Sequence, residues 1–142
     1  MVQLVRVFDD LPEGFEALRA EAEAEGHRHL TRLAQEWAED PGRFAVVLAA
    51  FASGALVGVG ALTPEPAPAP EPALRMRRLY VSKAARRQGV ARTIASALLQ
   101  EALDQVRLVT VHAGNSGAAA FWEAQGFAPV AGAAWSHEFR PG

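Results

Sequence analysis

One stretch constrains this chain more than any other: LYVSKAARRQGVARTIASALL, residues 79–99. An apolar, β-forming run passes through a short basic loop and a glycine into an apolar helical pattern. Helix N-termini present main-chain N–H groups that lack intrahelical partners and carry partial positive charge. A glycine at that point lets an anion approach the backbone, so the segment has the physical makings of a pyrophosphate cradle. It is not a Walker loop, because no G-K-[ST] follows a glycine-rich run. Nor is it the dinucleotide fingerprint, since G-x-G-x-x-G is absent.

Charge is distributed to match. From Arg75 to Arg92 there are seven bases and no acid, half of the chain's fourteen lysines and arginines. From Met1 to Asp40 there are ten acids against four arginines. A basic cluster of this kind is either a solvated face or a localised anion site, and its place in the fold decides between them. The net charge of −2 argues against general nucleic-acid binding. Arg75, Arg77 and Arg78 are not expected to form a nucleic-acid stripe either, because alternate strand residues face opposite sides.

At 142 residues the chain is expected to form one domain, residues 1–142. The absence of cysteine excludes disulfides, thiolate metal ligands and a cysteine nucleophile. MVQLVRVFDD lacks the apolar core of a signal peptide, and no apolar run is long enough to span a bilayer. A cytoplasmic protein without membrane partners is therefore expected, and no acid–histidine cluster predicts a metal site.

The rest of the chain can be divided by periodicity. VQLVRVF predicts a first strand; Leu11, Phe15, Leu18 and Ala22 a first helix, with Pro12 in its first turn; Leu30, Leu33, Ala34 and Trp37 a second, ended by Pro41-Gly42. RFAVVLAAF and ALVGVGAL read as a hairpin turning at Ala52-Ser53-Gly54. Five alternate prolines from Pro64 to Pro72 predict an exposed, extended loop. LRMRRLYVS is a strand, Gly89 to Asp104 a helix, VRLVTVHAG a strand, SGAAAFWEAQ a short helix capped by Gly126, and FAPVA and AAWSHEF two closing strands. The order is β-α-α-β-β-β-α-β-α-β-β. Only the crossover through the third helix suits a parallel pair, so an α+β fold with a mixed, largely antiparallel sheet is expected.

Two motifs now carry a resemblance. R-R-Q-G-V-A, residues 86–91, resembles the R/Q-x-x-G-x-G/A motif of the GNAT superfamily of acetyl-CoA-dependent N-acetyltransferases. VHAGNSGAAAFWEAQGF, Val111 to Phe127, resembles that family's V-x-x-x-N-x-x-A-x-x-[LF]-Y-x-x-x-G-F pattern. LYV lies just upstream of the first motif as in the family, and the element order matches, so the resemblance covers essentially the whole chain.

The resemblance implies that acetyl-CoA is the co-substrate and that its pyrophosphate sits on the backbone of Arg86, Arg87, Gln88, Gly89, Val90 and Ala91, with Arg92 adding charge. Pantetheine would run along Leu79, Tyr80 and Val81, and the acetyl group would lie where the strand carrying Val111 splays away. Asn115 matches an asparagine that contacts the cofactor arm, and an asparagine there also suits a helix N-cap. Trp122, counted with the cofactor contacts, stands where the family often has a tyrosine that protonates the coenzyme A thiolate. An indole does not titrate usefully, so Tyr80, Ser116 and His112 remain as candidate catalytic groups, with solvent as the alternative acid. His27 and His29 fall in a region that covers the acceptor in the family; Trp135 and His137 either line that pocket or cover the sheet. The acceptor is expected to be a small-molecule amine or a protein amino group, and the last strands offer a surface for a homodimer. A coenzyme-A-binding module without catalysis is the rival reading, kept open by Trp122.

Overall fold

Alternation in the strands and 3.6-residue spacing in the helices build two apolar layers on opposite faces of one sheet. The computed structural model describes residues 2–142. Strands β1 (Val2–Arg6), β2 (Val46–Ala52), β3 (Ala55–Pro64), β4 (Ala73–Val81), β5 (Leu108–Val111), β6 (Ala128–Pro129) and β7 (His137–Phe139) form a single sheet in the order β1-β2-β3-β4-β5-β7-β6. The β4–β5 pair is parallel and every other pair antiparallel. The fold is α+β, with helices α1 (Phe15–Ala24), α2 (His29–Glu39), α3 (Val90–Leu103) and α4 (Ser116–Ala124) in the predicted order.

One face buries Leu48, Leu62, Met76 and Val111 under Ile94 and Leu98 of α3 and Trp122 of α4. The other buries Val47, Val59, Ala61 and Tyr80 under Phe15, Leu18 and Ala22 of α1 and Leu30 and Leu33 of α2. Helix α3 comes so close to β3 that a Cβ at Gly60 would lie 2.7 Å from Ile94 Cγ2. The β2–β3 turn puts Ser53 and Gly54 at φ 51° and 81°, the pattern that a two-residue type I′ hairpin demands.

Two sequence expectations need correction. Pro12 lies outside α1: Phe15 N donates to Pro12 O in a turn, and Gly14 at φ 91° is the residue preceding the helix. The second concerns β4, where strict alternation fails. Tyr80 pairs with Val59 and Arg77 with Ala61, so Arg78 and Leu79 together face the single Gly60. Arg78 takes φ 60°, the mark of a bulge. Alternation therefore does not separate Arg78 from its neighbours. What removes the basic stripe is pairing, with Arg75 on Glu65 and Arg78 on Glu36.

All five prolines are exposed, as expected, but only Pro66 to Pro72 lie in the loop: Pro64 is the last residue of β3 and pairs with Leu74. The side chain of Glu65 inside the loop is buried and accepts from Arg75 Nε at 2.7 Å, Thr110 Oγ1 at 2.7 Å and Ala67 N at 2.8 Å. These bonds fasten the loop to the β4–β5 junction.

Candidate functional site

Strands β4 and β5 share only three register pairs, Ala73–Leu108, Leu74–Val109 and Arg75–Thr110. Beyond Arg75 they part, leaving β4 an open edge up to Val81. The direction of that edge follows from Ser82, whose N–H donates to Val57 O on β3 at 2.7 Å. Successive peptide groups of a strand alternate, so the N–H and C=O of Val81 point the other way, to the open side. Arg86 Nε donates to that carbonyl at 3.1 Å.

After a 3-10 turn at Lys83–Ala85 the chain forms the cradle. Arg87 at φ 66° and Gly89 at φ 80° are both left-handed. Gly89 is required for this conformation rather than for space, since the nearest atom to an added Cβ is the tip of Arg92 at 3.6 Å. The result is a concavity of the kind formed when left-handed residues turn successive amides inward. Among the described residues, the N–H groups from Arg87 to Arg92 have no hydrogen-bond acceptor. They edge a cleft of about 430 Å³ lined also by Val81, Ala85 and Phe121. Arg87 and Arg92 are exposed and enter no ion pair among the described residues.

Arg86 is differently placed. Its Nη1 donates to Glu25 Oε2 at 3.0 Å and its Nη2 to Glu25 Oε1 at 2.5 Å, while its guanidinium lies 5.4 Å from the centre of the Tyr80 ring. It lines the cleft and at the same time braces the loop against α1. These bonds, and one from Tyr80, hold the Glu25 carboxyl down at about 2. Glu21 completes the brace, accepting from Lys83 N at 2.9 Å, Tyr80 Oη at 2.7 Å and Ser82 Oγ at 3.2 Å.

Tyr80 is buried on the α1 side, away from the cleft that Phe121 lines. Its single phenolic proton faces two carboxylates, Glu25 Oε1 at 2.6 Å and Glu21 Oε2 at 2.7 Å. Burial, and then these hydrogen bonds, push the phenol well above its ordinary value. Asn115 is the N-cap of α4, its Oδ1 accepting from Ala118 N at 2.8 Å. Ser116, the first residue of α4, and His112 just past β5 are both exposed.

Trp122 is buried edge-on between Phe121 and Phe127, at ring separations of 5.0 and 5.4 Å. Its indole N–H has no partner among the described residues, unlike those of Trp37, bound to Asp9 O, and Trp135, bound to Glu138. His27 and His29 stack at 5.8 Å near Tyr80. His137 is buried and joins Ser136 Oγ at 2.8 Å to Glu123 Oε2 at 2.9 Å. Ser136 Oγ also accepts from Ala113 N at 2.8 Å, so this chain of bonds fixes the loop leading to α4.

Sequence reasoning missed Phe121, Glu21 and Glu25 as parts of the site. Phe121 was readable from the motif, one residue before Trp122. The glutamates were not, because nothing local to α1 signals that it abuts the loop some sixty residues away.

Among the described residues no helix is long and apolar enough to cross a membrane, and no group of three or more acids and histidines is arranged to hold a metal ion.

Solved structures share the fold. A candidate acetyltransferase from Exiguobacterium sp. 255-15 superimposes with a TM-score of 0.87 at 20% identity, covering 99% of this chain and 93% of the other. A candidate GNAT acetyltransferase from Desulfovibrio desulfuricans gives 0.75 at 17% identity, covering 99% and 98%. The GNAT family N-acetyltransferase YhbS from Escherichia coli, solved in complex with CoA, gives 0.71 at 18% identity, covering 98% and 81%. No curated protein matches the sequence. At these identities the structures establish the fold, while a family model described as the acetyltransferase (GNAT) family matches residues 6–127. With that match over most of its length, a split parallel pair and a cradle of unpaired amides, the chain belongs to the GNAT acetyltransferase family.

Proposed function

We propose that this protein transfers the acetyl group of acetyl-CoA to a primary amine by direct attack in a ternary complex. The observation that carries the reading is the run of unpaired N–H groups from Arg87 to Arg92 beside an open strand edge. A diphosphate satisfies several such donors at once, and charge-assisted bonds to it are stronger than neutral ones. Arg87 and Arg92 add charge from the rim, and Gln88, Gly89, Val90 and Ala91 contribute backbone. The Leu79–Val81 edge supplies the amide ladder for the pantetheine arm, and Phe121 of α4, backed by the buried Trp122, the apolar wall across from it. YhbS was solved with CoA, which supports the same donor here.

In the proposed step the amine nitrogen bonds to the thioester carbonyl carbon, the C–S bond breaks, and the amine proton leaves to a base or water. A main-chain N–H on the open edge near Val81 stabilises the developing oxyanion. The thiolate takes its proton from solvent. A thiol pKa of about 8.5 makes it a fair leaving group without a strong acid. Tyr80, with its raised pKa and its hydroxyl on two glutamates, fits a positioning role better than that of acid. His112 and Ser116, exposed beside the split, remain the groups to test for proton transfer.

The test is an amine panel with detection of thiol release, run beside a thermal titration with acetyl-CoA. Turnover of any amine supports the enzyme. Stabilisation by acetyl-CoA without release across a broad panel would favour a coenzyme-A-binding module, a reading that the non-titrating Trp122 motivates.

A further inference from the structure

Three arginines stand within four residues of β4, and only two carboxylates meet them. Arg75 is paired with Glu65, whose side chain is 1% exposed. Arg78 holds Glu36 with two bonds, Nε at 3.0 Å and Nη2 at 2.9 Å. Glu36 is further shared with Arg43 at 3.4 Å. Arg77 is left over. Its Nε is sealed from solvent and has no hydrogen-bond partner among the described residues. Burial disfavours its charge first; Arg78 and Arg75 disfavour it further, and Glu36 and Glu65 offset them in part.

A buried donor with no acceptor, whose nearest carboxylates are bound to other arginines, is a costly arrangement unless a ligand completes it. Its position suggests which ligand. Arg75 is the last β4 residue paired with β5, so Arg77, two residues on along the same face, stands where the strands separate. That face carries Glu36 of α2 and lies opposite the α3–α4 layer. An amine approaching the split from the α1–α2 side meets this guanidinium. The acids of the first forty residues do not oppose the assignment, because those nearest, Glu21, Glu25 and Glu36, are already occupied by groups of the chain itself.

We propose that Arg77 recognises a carboxylate on the acceptor, so that the preferred substrates are small amines that also carry a carboxylate. The inference rests on the acetyltransferase reading above. A planar carboxylate suits the guanidinium fork, and a site built around a polar partner discriminates strongly against analogues that lack it.

The experiment compares amino acids with their decarboxylated amines and their amides as acceptors, for the wild type, Arg77→Gln and Arg77→Lys. Wild type is expected to favour carboxylates by at least about tenfold in kcat/KM. In Arg77→Gln the KM for carboxylates rises by about as much, while kcat and the KM for acetyl-CoA hold, as loss of uniform binding requires. Arg77→Lys recovers part of the preference. The ligand-free melting temperature of Arg77→Gln stays level or rises, because an uncompensated charge has been removed. If no carboxylate outperforms its decarboxylated partner, or if Arg77→Gln weakens all amines alike, the proposal fails. Absence of any thermal shift with acetyl-CoA overturns the acetyltransferase reading together with this one. A normal shift with an indifferent acceptor series overturns only the role given to Arg77.

Discussion

Arg86 Nη1 and Nη2 grip both carboxylate oxygens of Glu25, joining the cradle to the end of α1 across sixty-one positions of sequence. The pair sits on an exposed rim, so its contribution at neutral pH is small. Its pH dependence is readable. The carboxyl is held at about 2 in the fold against an ordinary 4.5. Between those values the unfolded chain binds more protons than the folded one, so stability rises with pH through the window. The contribution is complete above the unfolded value and lost as pH falls towards 2. Urea midpoints measured from pH 5 to pH 2.5 should therefore decline more shallowly for Glu25→Gln than for the wild type. Parallel curves would remove the brace from the account.

Gly89 is held at φ 80°, which a residue with a Cβ adopts at a cost of about 1 kcal/mol. Gly89→Ala should lower the melting temperature modestly and weaken acetyl-CoA binding. Carboxylates introduced in the double variant Arg87→Glu with Gly89→Glu should abolish binding, by charge as well as by conformation. Isothermal titration separates the two grades of loss, and equal affinity for the wild type and the double variant would exclude the cradle as the anion site.

Trp122 fills the layer between Phe121 and Phe127. Truncation to alanine should cost about 3–5 kcal/mol in stability. Trp122→Phe keeps most of the packing and deletes only the indole N–H. If solvent protonates the thiolate, kcat falls little in this variant, and Trp122→Tyr, which restores an acid, raises it. A collapse of kcat in Trp122→Phe with acetyl-CoA affinity intact would assign the indole N–H a direct part in the reaction.

Gly60 tests the packing that sets the third helix, and with it the direction of the amides. A Cβ there meets Ile94 Cγ2 at 2.7 Å and Leu98 Cδ1 at 3.1 Å. Gly60→Ala should destabilise by about 1–3 kcal/mol through overpacking. Pairing it with Ile94→Val should recover part of that loss, as chemical denaturation can measure.

Much of this molecule was legible in its sequence because its signals are local. Strand and helix periods gave the element order, and Gly89 and Gly126, at φ 80° and 98°, marked a helix start and a helix end. The cradle was readable because a basic loop, a glycine and a helix are neighbours along the chain. What escaped were consequences of tertiary pairing. The bulge at Arg78 depends on how β4 meets Gly60, and an arginine gives no local warning of a left-handed backbone. Arg86 lines the cleft beside Arg87, and its pairing with Glu25 from another layer of the fold was not legible in the sequence. Tyr80 was counted with the cofactor edge by its backbone, while its side chain serves the opposite face.

The central claim is that the unpaired amides from Arg87 to Arg92 hold the diphosphate of acetyl-CoA. The most direct measurement is the melting temperature of the wild type as acetyl-CoA is raised, beside that of the Arg87→Glu, Gly89→Glu variant. The wild type should gain stability with the logarithm of ligand concentration, reaching about 2.7 kcal/mol at one hundred times Kd, and the variant should gain none. A wild-type curve that stays flat, or a variant that rises in step with it, would contradict the claim.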